Sequence, residues 1–176
     1  MSIFIVQLLH SQNNRPLILT ADGILLHSTH KNNFPGVSAG VLTQLNKHWL
    51  AGGGAEYSWS PSHDDNGWKL TSLRFAPLYG DFRWYPWAVG IVKPYVRCSV
   101  GISFNSYKKV DEFGVGPYQV REFGLFSYGG IGANIALNSR FSLLAEAGLK
   151  GFRMSFNNLD VNPHGITYRV GLSFVL

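Results

Sequence analysis

Through most of this chain apolar or small residues alternate with polar ones position by position, and that period of two is the signature of strands, not helices. The last residues show it most cleanly. Tyr168, Val170, Leu172, Phe174 and Leu176 share one parity, while Thr167, Arg169, Gly171 and Ser173 share the other. Successive side chains of a strand point to opposite faces, so such a segment presents one apolar and one polar side. Eight segments of this kind, bounded by Gly, Pro, Asn, Asp and Ser, run over Pro16–Ser28, Gly36–Leu45, His48–Trp59, Trp68–Tyr85, Lys93–Tyr107, Gln119–Leu137, Phe141–Ser155 and Gly165–Leu176.

The connectors alternate as well. Those centred on His30–Asn33, Ser60–Gly67, Lys108–Pro117 and Phe156–His164 are long and rich in Asn, Asp, Pro and Lys. Those at Asn46–Lys47 and Asn138–Arg140 are tight, and the one over Pro86–Val92 is somewhat longer. Long connectors at one end and short ones at the other are what an up-and-down membrane barrel requires, with the long loops outside and the short turns in the periplasm. An even number of strands brings Leu176 back to the side of the N-terminus. The expected fold is all-β, an eight-stranded antiparallel up-and-down transmembrane β-barrel, with residues 13–176 as one domain.

Composition agrees. Charged residues are only 14%, against roughly 25% in a typical soluble domain, yet no apolar run of about 18 residues exists to form a spanning helix. The formal charge of +5 raises nucleic acid as a partner, but the basic residues are scattered, and Lys108 and Lys109 are the only adjacent pair. No nucleic-acid partner is expected. With Cys98 as the sole cysteine, neither an intramolecular disulfide nor a cysteine-based metal site can form. At the N-terminus, Ile3 to Leu9 followed by His10, Ser11 and Gln12 reads as the end of a secretory signal without its basic start, so residues 1–12 are expected to be a truncated signal remnant. A short leader strand is the alternative.

Which face is apolar distinguishes a membrane barrel from a soluble ligand carrier. On the fifth segment Val96, Cys98, Val100, Ile102 and Phe104 oppose Tyr95, Arg97, Ser99, Gly101 and Ser103. The polar face is mostly Gly and Ser with single charges, which suits a narrow lumen better than a solvated surface. Asp22, Glu56, Asp81, Glu122 and Glu146 nearly balance Arg83, Arg97, Lys150 and Arg169 on that face, and are expected to form an ionic network filling the lumen. Arg74 falls on the apolar parity; either it lies above the hydrocarbon zone or a bulge near Pro77 flips the phase. Trp49, Trp59, Trp68, Trp84, Trp87, Tyr107 and Tyr168 near segment ends suit interfacial girdles, ordinary core packing being the alternative.

Four stretches, GVSAGVLTQLNKHWLAGGGAEYSW (36–59), RFAPLYGDFRWYP (74–86), KPYVRCSVGISF (93–104) and YRVGLSFVL (168–176), carry a resemblance to the small outer-membrane β-barrel families of Gram-negative bacteria. The chain resembles the OmpA transmembrane domain and OmpX-like proteins, closest to the barrel proteins of Bacteroidetes. The resemblance implies outer-membrane lipids as surroundings, a monomer, and barrel-insertion machinery as an assembly partner. That machinery would read Tyr168, Val170, Leu172, Phe174 and Leu176, although the final residue is Leu where an aromatic is usual.

Phosphate loops, dinucleotide fingerprints, metal-spaced Cys or His and nucleophile elbows are all absent by pattern, so neither an enzyme nor a cofactor is expected. The leading expectation is an integral outer-membrane barrel with a side-chain-filled lumen and a structural or adhesion-type surface role. A lipid A deacylase or acyltransferase is the first alternative, resting on His27, Ser28 and His30. His27 and His30 with His63 or His164 could also hold a metal across the loops. The second alternative is a soluble small-ligand barrel, which requires Val170, Leu172 and Phe174 to point inward.

Overall fold

The computed structural model describes residues 16–29, 32–65, 68–109, 117–153 and 163–176; side-chain placement is described for these except 63–65 and 68–69. Residues 1–12, read above as a signal remnant, lie outside that description. Eight strands follow in chain order: β1 (Leu17–Ser28), β2 (Asn33–Gln44), β3 (Trp49–Asp65), β4 (Trp68–Trp84), β5 (Val92–Lys109), β6 (Tyr118–Ala136), β7 (Phe141–Arg153) and β8 (His164–Val175). Each pairs antiparallel with its sequence neighbour, and β8 returns to β1 to close an all-β up-and-down barrel.

The two tightest turns share one sequence pattern and one construction. Leu45, Asn46, Lys47, His48 and Trp49 join β2 to β3; Leu137, Asn138, Ser139, Arg140 and Phe141 join β6 to β7. Asn46 Oδ1 accepts the backbone N–H groups of His48 (2.9 Å) and Trp49 (3.1 Å). Asn138 Oδ1 does the same for Arg140 and Phe141, both at 2.9 Å. In both turns the leucine N–H closes on the aromatic carbonyl at 2.9 Å. Asparagine suits the position because its side chain mimics a backbone acceptor. Between β4 and β5, Val89 and Val92 exchange backbone hydrogen bonds of 2.8 and 3.0 Å around Gly90. Gly90 has φ 59°, which glycine reaches without a Cβ clash.

Two boundaries differ from the sequence reading by three residues or more. β3 continues past Trp59 to Asp65, because Ser60 and Ser62 have ladder partners in Leu73 and Thr71. β2 starts at Asn33, opposite His27. In both places cross-strand pairing satisfies backbone groups that polar composition alone assigns to a loop. Arg74 does face outward, but the phase does not flip at Pro77, which stays in register opposite Ser103. The irregularity lies between Thr71 and Arg74, where Ser72 has φ 55° and the ladder to β5 slips. The extra residue resets parity, so Leu70 and Leu73 are both buried. Pro77, which has no N–H to donate, sits where the ladder to β3 is interrupted.

The apolar parity points out. Val37, Leu78, Phe82, Val100, Phe104, Leu125, Ile131, Leu149, Val170 and Leu172 are between 50% and 68% exposed. This reverses what a soluble ligand carrier needs. Asn138→Ala removes the acceptor of two turn N–H groups at once and is expected to destabilise the refolded barrel by about 1–2 kcal/mol. The readout is a lower urea midpoint in detergent micelles; an unchanged midpoint would mean that the backbone closure from Leu137 to Phe141 holds the turn alone.

Candidate functional site

Strand parity delivers eight charged side chains to the lumen: Asp22 from β1, Glu56 from β3, Asp81 and Arg83 from β4, Arg97 from β5, Glu146 and Lys150 from β7, and Arg169 from β8. All are between 1% and 7% exposed. Eight ions withdrawn from water would be prohibitive unless paired. Here four acids meet four bases in one connected network.

Arg169 is its hub. Its Nη2 lies 3.2 Å from Asp22 Oδ2, its Nη1 3.4 Å from Glu56 Oε2, and its Nε 3.8 Å from Glu146 Oε1. Lys150 Nζ donates to Glu56 Oε1 at 2.6 Å. Arg97 links Glu146, at 3.4 Å, to Asp81, on which its Nε and Nη2 both close at 2.9 Å. Arg83 Nη2 donates to the same Asp81 at 3.0 Å. Arg83 and Arg97 are direct cross-strand partners, so Asp81 is what reconciles two like charges across the ladder.

Neutral groups complete the network. Ser38 accepts from Arg169 at 2.6 Å and donates to Asp22 at 2.9 Å. Tyr95 donates to Glu146 at 2.8 Å and Ser58 to Glu56 at 2.7 Å. The Arg97 guanidinium lies 5.8 Å from the Tyr79 ring centre and 5.6 Å from that of Tyr128, which also faces Arg169 at 5.4 Å. Luminal glycines make room for these rings. A Cβ on Gly132 would stand 2.7 Å from the Tyr95 ring, and one on Gly54 would stand 2.9 Å from that of Tyr79.

Glu122, the remaining acid expected in the network, stands apart on β6. It is half-buried, faces the Tyr107 hydroxyl, and makes no ion pair among the described residues. Tyr107 in turn is not a girdle residue: it is 5% exposed, on the luminal parity of β5 shared with Tyr95 and Arg97. It belongs to an apolar plug toward the long-loop end, with Leu26, Phe34, Leu70, Leu73, Phe75, Tyr79, Phe126, Tyr128 and Phe152. The Phe75 and Phe152 rings are 4.9 Å apart, and Phe126 and Phe152 are 5.5 Å apart. The sequence reading missed this plug, although Leu26, Phe34, Phe75, Phe126 and Phe152 all sit on the inward parity in the halves of their strands nearer the long connectors.

On the outside, Trp49, Trp59, Trp84, Trp87 and Tyr168 are all exposed; the side chain of Trp68 lies outside the description. Trp49 meets Trp84 at 6.3 Å and Tyr57 meets Trp59 at 5.9 Å. On β8 and its end, Tyr168, Val170, Leu172 and Leu176 are exposed, and Phe174 packs on Phe141 at 4.8 Å.

The His27 and Ser28 pair is split by strand alternation. His27 faces outward, its Nδ1 2.8 Å from Asn33 Oδ1, whereas Ser28 is buried in the lumen. A base and a nucleophile on opposite sides of the wall cannot share a proton. His30 and the His63 side chain lie outside the description, and His164 sits beside Thr29. Among the described residues no three His, Cys, Asp or Glu side chains gather as a metal site.

Comparison with known proteins agrees with this geometry. The barrel domain of OprF from Pseudomonas aeruginosa has a TM-score of 0.54 at 17% identity, covering 94% of this chain and 100% of that one. A major outer membrane protein of Thermus thermophilus has a TM-score of 0.69 at 12% identity, covering 93% and 100%. Ail, the attachment invasion locus protein of Yersinia pestis, solved with the heparin analogue sucrose octasulfate, has a TM-score of 0.55 at 10% identity, covering 92% and 97%. No curated protein matches the sequence above chance. Residues 18–174 match the family described as the outer membrane protein beta-barrel domain. This chain belongs to that family and is a β-barrel of the bacterial outer membrane.

Proposed function

We propose that this protein is a non-enzymatic, monomeric barrel with a sealed lumen, its short turns in the periplasm and its long loops outside, serving a structural or adhesion-type surface role. The observation that carries the reading is the filled interior. Eight paired charges occupy the lumen, and an aromatic plug covers them toward the long-loop end. Eight strands leave little more than side-chain space, so the loop end is the surface left for contacts. The shared fold of Ail, solved with a heparin analogue, supports an adhesion-type role. The outward row Tyr168, Val170, Leu172, Phe174 and Leu176 is the part of the chain that insertion machinery would read.

Refolded into planar bilayers, the protein is expected to give no stepwise conductance; steps would overturn the sealed lumen. Cells displaying it are expected to adhere to a heparin-coated surface more than cells displaying a form with residues 110–116 and 154–162 replaced by Gly-Ser linkers. Equal adherence would leave the structural role alone. Within the network, Asp81→Asn strands Arg83 opposite Arg97 and is expected to cost about 3–5 kcal/mol. Glu122→Gln, which breaks no ion pair among the described residues, should cost less than about 1 kcal/mol. Equal urea midpoints for the two variants in one detergent would contradict the network as a source of stability.

A further inference from the structure

The five carboxylates with described side chains, Asp22, Glu56, Asp81, Glu122 and Glu146, all turn inward, whereas Arg74, Lys108, Arg121 and Arg153 are exposed on the outward parity. Two of these cations share a row. Arg74 of β4 pairs with Ser106 of β5, which pairs with Arg121 of β6. At the usual strand spacing the two arginine backbones are roughly 10 Å apart, close enough for both guanidinium groups to reach one ligand. Neither arginine meets a carboxylate among the described residues. Ser106 between them accepts a hydrogen bond from Gln119 at 3.4 Å, which leaves its own hydroxyl hydrogen to donate.

The next outward row toward the short-turn end is apolar: Ala76, Phe104 and Phe123 are ladder partners across the same three strands. Phe104 and Phe123 are 55% and 66% exposed and adjacent in that row, with the small Ala76 at its β4 end. The two rows, together with the intervening Asn105 and Glu122 whose parity is inward, line a shallow groove of about 430 Å³ on the outer wall. A free anion would use the arginines and gain nothing from the phenylalanines. A lipid uses both, since guanidinium groups match phosphate oxygens bidentately and acyl chains lie on exposed rings. Trp59, opposite Arg74 on β3, marks the same level as an interface.

We infer that Arg74, Ser106 and Arg121 hold the phosphate of an anionic outer-leaflet glycolipid whose acyl chain rests on Phe104 and Phe123. The choice of leaflet rests on the orientation proposed above. The test uses the full chain refolded in a nonionic detergent, with bound lipid counted by native mass spectrometry. The probes are bisphosphorylated lipid A, its dephosphorylated form, phosphatidylglycerol and inorganic phosphate. Wild type should retain the phosphorylated form about tenfold better than the dephosphorylated one, and about tenfold better than an Arg74→Gln, Arg121→Gln double variant. Arg153→Gln should behave as wild type.

Indifference to lipid phosphorylation overturns the site without needing any variant. So does equal retention by a double variant that still shows the heat-dependent gel shift of a folded barrel. Displacement of lipid by millimolar inorganic phosphate would mean a free-anion site and likewise overturn it. Orientation is read separately, by an impermeant maleimide on whole cells carrying Ser139→Cys in a Cys98→Ser background. Labelling of intact cells would overturn the orientation, and preference for phosphatidylglycerol would overturn the choice of leaflet while leaving the phosphate contact in place.

Discussion

In hydrocarbon a strand edge has no water to satisfy its N–H and C=O groups, so a sheet can cross a membrane only if its two ends meet. The ladder between β1 and β8, from Ile18 opposite Val175 to Ser28 opposite Gly165, is that meeting. Everything else follows from it. Closure gives each strand one face inside and one outside for its whole length, and it turns the alternation of the sequence into two environments. It also places residues far apart in the chain side by side: Asp22 and Arg169 touch only because the first strand lies against the last.

The inside then has to be filled by side chains that avoid both voids and unpaired charge. The solution differs along the axis. One stretch is ionic, with Asp81 shared by two arginines on facing strands and Arg169 shared by three acids. Toward the long loops the lumen is aromatic, with Phe75 and Phe152 in contact. Tyr79 and Tyr128 belong to both regions, since their rings face Arg97 while packing in the apolar cluster. A tyrosine bridges such zones because it offers a polarised ring to a cation and apolar area to its neighbours. Glycine on the adjacent strand is the matching requirement, since a methyl group on Gly132 or Gly54 would occupy the ring's space.

How much of this was legible in the sequence depended on whether a property was local. Parity is local, and it assigned Asp22, Glu56, Asp81, Arg83, Arg97, Glu146, Lys150 and Arg169 to one side from short windows alone. Pairing is not local. Glu122 shares the inward parity but stands among different neighbours, because its level in the barrel is set by the β5–β6 register. Tyr107 was read from its place near a strand end, when its parity already put it inside. Ser60 and Ser62 read as loop residues because their polarity is visible and their partners Leu73 and Thr71 are not. The outward parity of Arg74 leaves two readings, a place above the hydrocarbon zone or a bulge near Pro77, the obvious breaker; the bulge sits at Ser72, whose positive φ no residue type announces.

The same sorting accounts for the net charge. The four acids and four bases of the luminal network cancel among themselves, so the formal +5 of the chain resides outside that network. Deep in the lumen a fully buried acid needs a base beside it, because neither can be screened there. On the outer wall the requirement is different. An arginine near the edge of the apolar belt keeps its charge at the interface while its stem lies along hydrocarbon, and headgroup phosphates can neutralise it. A carboxylate in that position would have no such counterion and would be repelled by an anionic surface. Among the described acids, Asp22, Glu56, Asp81 and Glu146 stand where bases of the chain reach them, while on the outer wall Arg74 and Arg121 stand where, on the lipid contact inferred above, phosphate supplies the opposite charge.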